Sequence, residues 1–184
     1  MFIQTEQTPN PATLKFLPGR EVLVRGTADF AEPDSARRSP LARRLFEIEG
    51  VTGVFLGYDF VTVSKSDDRD WYLLKPAILG AIMEHYAAGR PALEDEDVGS
   101  GHAESEDEDE VVSQIKELLD TRVRPAVAQD GGDITFHSFD DGVVYLSMRG
   151  ACSGCPSSSA TLKAGIENML RHYIPEVVEV RQVR

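Results

Sequence analysis

Apolar positions recur along this chain with two different periods, and the switches between them mark out its elements. Near the start, Phe2-Ile3-Gln4-Thr5 and Thr13-Leu14-Lys15-Phe16-Leu17 alternate loosely around the turn cluster Thr8-Pro9-Asn10-Pro11, and Pro18-Gly19 closes the second run. That is the grammar of strands punctuated by turn residues. Ser39-Pro40 ahead of Leu41, Leu45, Phe46 and Ile48 predicts a short capped helix with proline at its first position. Residues 53–58 and 60–64 predict a hairpin turning near Asp59, and the run from Lys75 through Met83 to Tyr86 predicts a second helix with Ile78, Ile82 and Tyr86 on one face. Residues 1–92 therefore read as a small α+β unit.

A second unit follows at residues 111–184. Val111, Ile115, Leu118, Leu119 and Val123 recur at helical spacing; Pro125 should kink or restart that helix, and Asp130-Gly131-Gly132-Asp133 should stop it. A strand with Ile134, Phe136 and Ser138 on one side turns at Asp140-Asp141-Gly142 and returns through residues 143–148. The run 150–156 reads as a loop, followed by a helix over 157–173 with a stripe of Ala160, Ala164, Ile166, Met169, Leu170 and Tyr173. Pro175 ends that helix, and residues 177–180 supply a last strand. The expected fold is thus two small α+β domains, with the helices of the second packed on a small three-stranded sheet.

Charge changes this picture in one place. The chain of 184 residues has a formal net charge of -12, and residues 94–110 alone hold ten acidic side chains and no basic one. The segments on either side each come to -1, from 11 basic against 12 acidic residues before and 8 against 9 after. The acidity belongs to a linker, residues 93–110, which self-repulsion and the want of apolar side chains should keep extended and flexible. Neither flanking unit is basic, which argues against a nucleic-acid partner. No run approaches the roughly 18–20 apolar residues of a membrane span, so a soluble chain without a membrane partner is expected. The N-terminal residues lack the pattern of a secretory or transit segment. The expected location is the bacterial cytoplasm, or the mitochondrial matrix if a transit peptide has been removed.

The candidate chemistry is concentrated in two cysteines, Cys152 and Cys155, on one short loop at the entrance to a helix. A helix N-terminus lowers thiol pKa values, which makes both sulfurs available as ligands or nucleophiles. Gly154 lets backbone amides approach an anionic centre, and Pro156 suits a first helical turn. Spacing alone leaves three chemistries open. A thioredoxin-like dithiol would fit a CxxC at a helix start, but that site expects a βαβ setting, and here two hairpin strands precede the loop. Structural zinc needs four ligands, and His85, His102, His137 and His172 have no finger-like spacing to the pair, so zinc would have to be shared between chains. An iron-sulfur cluster also usually takes four cysteines, and a two-fold dimer meeting at this loop would supply them. Asp130 and Asp133 read as anchors of turn geometry and Arg149 as an exposed charge near the site.

The runs Arg124-Pro125-Ala126-Val127, Asp130-Gly131-Gly132-Asp133-Ile134, 142–146 and Gly150-Ala151-Cys152-Ser153-Gly154-Cys155-Pro156-Ser157-Ser158 resemble the NifU C-terminal, or Nfu, domain, and residues 161–167 and 173–177 continue the likeness. Residues 2–16 are similar to the N-terminal domain of two-domain Nfu proteins. The resemblance implies a non-enzymatic iron-sulfur cluster carrier. It would hold a cluster, most often 4Fe-4S and alternatively 2Fe-2S, on Cys152 and Cys155 at a homodimer interface. Upstream assembly proteins would be the donors and apo iron-sulfur proteins the acceptors. The N-terminal domain has no cysteine, and the resemblance gives it a part in partner recognition or stability.

Overall fold

The computed structural model describes residues 2–24, 26–94, 110–152 and 159–183. These fall into two compact units, and both mix strands with helices.

In the first unit β1 (Gln4–Gln7), β2 (Thr13–Leu17), β3 (Ala28–Phe30), β4 (Val51–Leu56) and β5 (Val61–Lys65) form one sheet in the order β1-β2-β5-β4-β3, antiparallel throughout. A 3-10 turn (Pro33–Arg38) and α1 (Pro40–Phe46) lie between β3 and β4, and α2 (Trp71–Ala87) follows β5. Ser39 caps α1 as its position predicts: its Oγ accepts from the Ala42 amide at 3.0 Å and donates to the Ala92 carbonyl at 2.6 Å. Leu41, Leu45, Ile78 and Ile82 of the helices share a core with Phe16, Phe30, Val54, Leu56 and Val63 of the sheet.

Helix α2 begins four residues before the expected Lys75, because Asp70 caps it by accepting from the Tyr72 amide at 3.0 Å. Packing of this unit runs on to Glu94, whose amide donates to the Arg38 carbonyl at 2.8 Å. The acidic linker expected over 93–110 otherwise lies outside the described residues, apart from Glu110, which opens the next helix.

The second unit starts with α3 (Glu110–Leu118), a π turn (Leu119–Val123) and α4 (Arg124–Gln129). The expected restart at Pro125 takes the form of that π turn. The Arg124 amide reaches back five residues to the Leu119 carbonyl, and the wider turn makes room for a proline ring that would collide with an ordinary α-helical carbonyl.

The β6 (Gly132–Asp140) and β7 (Val143–Gly150) strands form the hairpin, joined through Asp141 and Gly142 at φ 49° and 80°, the left-handed pair that a two-residue hairpin turn requires. Val144, Leu146 and Met148 alternate into the core. In β6 a bulge falls between Phe136 and Ser138, so Ile134, Phe136 and Phe139 meet the core instead of Ser138. One extra residue reverses the alternation beyond it.

Helix α5 (Ser159–Tyr173) leads to β8 (Glu179–Val183), which pairs in parallel with β7 to give the sheet order β6-β7-β8. The last strand is thus shifted two residues beyond the expected 177–180; Ile174 and Val177 are buried before the ladder begins. Among the described side chains of α5, Ile166 and Leu170 are buried, backed by Leu162 and Met169. Ala164 and Tyr173 are exposed, contrary to the expected stripe. The parallel β7-α5-β8 unit also removes the argument from topology against a thioredoxin-like site, since a CxxC between β7 and α5 does stand in a βαβ setting. Among the described residues no helix is long and apolar enough to cross a membrane.

His85 generates a prediction in the first unit. It is 5% exposed, stacks edge-on to Tyr86 at 5.3 Å, and its Nε2 has no hydrogen-bond partner among the described residues. Burial, aided by the charge of Arg90, holds its pKa below the ordinary 6.5. The unfolded chain therefore binds a proton that the folded one refuses. The stability held by neutral His85 is full above the unfolded value and is lost as pH falls below it, by at most about 1.4 kcal/mol per pH unit. Denaturant unfolding of the chain between about pH 7 and pH 5 should show this loss in the first unit, and His85→Leu should flatten it.

Candidate cluster-binding site

Strand β7 ends at Gly150, whose φ of 64° turns the chain out of the ladder into Ala151 and Cys152. Opposite it, α4 ends where the Asp130 and Gly131 amides donate to the Val127 and Ala128 carbonyls, and Gly131 takes a φ of 79°. The two ends are tied together: the Ala151 amide donates to the Gly131 carbonyl at 3.2 Å, and Gly132 pairs with Gly150 in the ladder.

Gly132 has to be glycine here. A Cβ at that position would stand 2.5 Å from Cys152 Sγ, 2.9 Å from the Arg149 carbonyl and 3.0 Å from the Cys152 amide. The sulfur of Cys152 lies directly over the Gly132 backbone, and the residue is 6% exposed, packed into the core of the unit. Cys155 and the loop 153–158 lie outside the described residues, so one of the two predicted ligands is placed and its companion is not.

Beside Gly132, Asp133 is 3% exposed and faces Arg124 in a two-pronged ion pair. Arg124 Nε donates to Oδ1 at 2.9 Å and Nη2 to Oδ2 at 3.0 Å; the Ile134 amide also donates to Oδ1 at 2.9 Å. Arg124 Nη1 reaches Asp120 at 3.1 Å on the π turn. Burial alone would lower the guanidinium pKa, but the Asp133 and Asp120 carboxylates outweigh it and hold Arg124 above its ordinary value.

The turn-anchor reading of the two aspartates thus divides. Asp130 is exposed at the end of α4, whereas Asp133 is a buried acceptor for an arginine nine residues earlier. Arg124 had no place among the sequence candidates, because nothing in spacing ties it to Asp133; the π turn that Pro125 demands is what brings them together. Arg149 is half-buried in β7, opposite Asp133 in the ladder. His137 and His172 are exposed, His137 Nδ1 lies 3.1 Å from Ser138 Oγ, and no group of three or more His, Cys, Asp or Glu among the described residues is placed to hold a metal ion.

Comparison with known proteins shows the family of the chain. Two family models match, "Scaffold protein Nfu/NifU N terminal" over residues 3–89 and "NifU-like domain" over residues 115–181, the second enclosing both cysteines. The chain belongs to the Nfu/NifU family of scaffold proteins. Its similarity to the human protein named NFU1 iron-sulfur cluster scaffold homolog, mitochondrial, runs at 58% identity over 184 residues, all of this chain and 72% of that protein. The homologue of that name from Drosophila erecta is 55% identical over the whole chain and 65% of its own length. NifU-like protein 4, mitochondrial, of Arabidopsis thaliana is 55% identical over 99% of this chain and 66% of that protein. The chain spans about two thirds of the length of these relatives. The chain is a scaffold-family protein, not an enzyme.

A stability prediction follows from the ion pair. Arg124→Ala leaves the Asp133 carboxylate buried without its arginine, which should cost the second unit about 3–5 kcal/mol. Arg124→Lys keeps the charge but loses the fork and should cost less. Denaturant unfolding of the full chain, followed by a probe in the second unit, measures both.

Proposed function

We propose that this Nfu/NifU-family chain binds an iron-sulfur cluster on the thiolates of Cys152 and Cys155, shares it between two copies, and delivers it to apo iron-sulfur proteins. The observation that carries this reading is the NifU-like match over 115–181, which encloses the cysteine pair, together with the close relatives named as iron-sulfur cluster scaffolds. The cluster is cargo. Four cysteine ligands suit a cluster, and one chain brings two, so a two-fold arrangement completes the site. The 4Fe-4S form is the proposed cargo, with 2Fe-2S as the alternative.

Transfer proceeds by ligand exchange without net redox. An acceptor thiolate bonds to an iron, the bond from that iron to Cys152 or Cys155 breaks, and the departing thiolate takes a proton from solvent; repetition moves the cluster. Upstream assembly proteins act as donors. The work is set in the mitochondrial matrix, as the names of the relatives support, or in the cytoplasm of a bacterium. The chain is organised as a first unit whose packing runs on to Glu94 and a cluster-binding unit that opens with α3, joined by an acidic stretch of sequence, with the cysteine-free first unit serving partner recognition or stability.

Anaerobic reconstitution with ferrous iron and sulfide tests this. The expected result is a brown dimer with about four iron and four sulfide per two chains, and loss of the chromophore in Cys152→Ser and in Cys155→Ser. A monomer without chromophore, or a Cys152→Ser chain that keeps the full cluster, would overturn the shared site. The parallel β7-α5-β8 setting favours one second reading, a dithiol redox protein; it predicts instead a monomer that cycles a disulfide with protein substrates.

A further inference from the structure

The NifU-like match covers both cysteines but says nothing of how the fold presents them. Cys152 is placed in an unexpected way for a ligand that another chain's cluster has to reach: it is 6% exposed, its sulfur lies against Gly132, and it belongs to the same core as Ile134, Leu146, Met148 and Ile166. A sulfur so placed has to leave that seat before iron can bond to it.

We infer that Arg124, Asp133 and Gly132 are positioning residues that hold the Cys152 sulfur inward in the cluster-free chain, and that loading requires this hold to open. The inference rests on the reading of Cys152 as a cluster ligand.

Three linked observations carry it. Gly132 forms the floor of the seat, with no room for a side chain between its backbone and the sulfur. The floor is pinned on one side by the Gly131 carbonyl, which accepts from Ala151, the residue before the cysteine. On the other side Asp133 is held by both prongs of Arg124, itself fixed to Asp120 on the π turn. Loosening the pair frees the backbone of 131–133 and with it the wall against which the sulfur rests.

Only two cysteines occur in the chain, so a Cys155→Ser background leaves Cys152 as the single thiol and gives a clean readout. Its reaction with an aromatic disulfide reagent should be slow in the cluster-free full-length chain. Adding Asp133→Asn or Arg124→Lys should speed it by about tenfold or more, the factor that one charge-assisted hydrogen bond is worth. Gly132→Ala, whose Cβ would collide with the sulfur and with the Arg149 carbonyl while leaving both charged partners in place, should speed it as well. The control is Val180→Ala, a core change away from the pair: where its loss of stability matches that of Asp133→Asn, its thiol should still react within about twofold of the parent.

Equal acceleration by the control, or a fast parent thiol, would overturn the inference. A variant too unstable to purify is replaced by the next of the three, and failure of all three to change the rate also overturns it. The measurement needs no cluster, so its outcome is separate from that of reconstitution. A slow, pair-dependent thiol in a chain that never takes up iron would sink the cluster reading and leave the seat standing.

Discussion

The second unit is organised around one buried carboxylate. Asp133 cannot stand in an apolar interior without donors, and it is met by both prongs of Arg124 and by the Ile134 amide. Against a well-packed apolar pair such an arrangement adds little net stability. What it adds is direction: a planar fork on a planar carboxylate sets the angle between two elements as well as their distance. Here the elements are the π turn and α4 on one side and the start of β6 on the other. Asp120 extends the pair along the turn, so that the geometry of one helix start is referred to the start of a strand.

From that reference point the rest of the site follows by backbone contacts. The α4 carbonyls take the amides of Asp130 and Gly131, the Gly131 carbonyl takes the amide of Ala151, and the Gly132 backbone takes the sulfur of Cys152. The two glycines have different tasks. Gly131 supplies a left-handed turn, while Gly132 supplies space. Substitution at Gly131 strains the backbone; substitution at Gly132 moves the sulfur.

Much of this was legible from periodicity. The capped α1, the β4-β5 hairpin, the apolar face of α3 and the β6-β7 hairpin stand where alternation and helical spacing place them, because each buries one face and turns at residues suited to turning. The features that were not legible are those decided by partners distant in sequence. Three-residue β3 is held by pairing to β4, too short to show a period. The bulge in β6 reverses which of Ser138 and Phe139 faces inward, and alternation cannot reveal an extra residue. Strand β8 starts where β7 offers a parallel partner and not where the run of valines starts. Asp133 reads singly as a turn anchor and nothing in spacing ties it to Arg124; the π turn at Pro125 brings the two together.

The burial of Cys152 bears on the choice between redox and cluster chemistry. A dithiol catalyst works through an exposed attacking thiolate, and a sulfur seated in the core against Gly132 is not in that position. A carrier has the opposite need. Between cargoes its thiols are liable to oxidation and to stray metals, and a ligand folded into the core is shielded from both. On the proposed reading, loading would have to draw the sulfur out, and the energy of the seat would oppose cluster binding. A carrier that must also give its cluster away would gain from that opposition, because a Cys152 thiolate released from iron would return to a place already built for it.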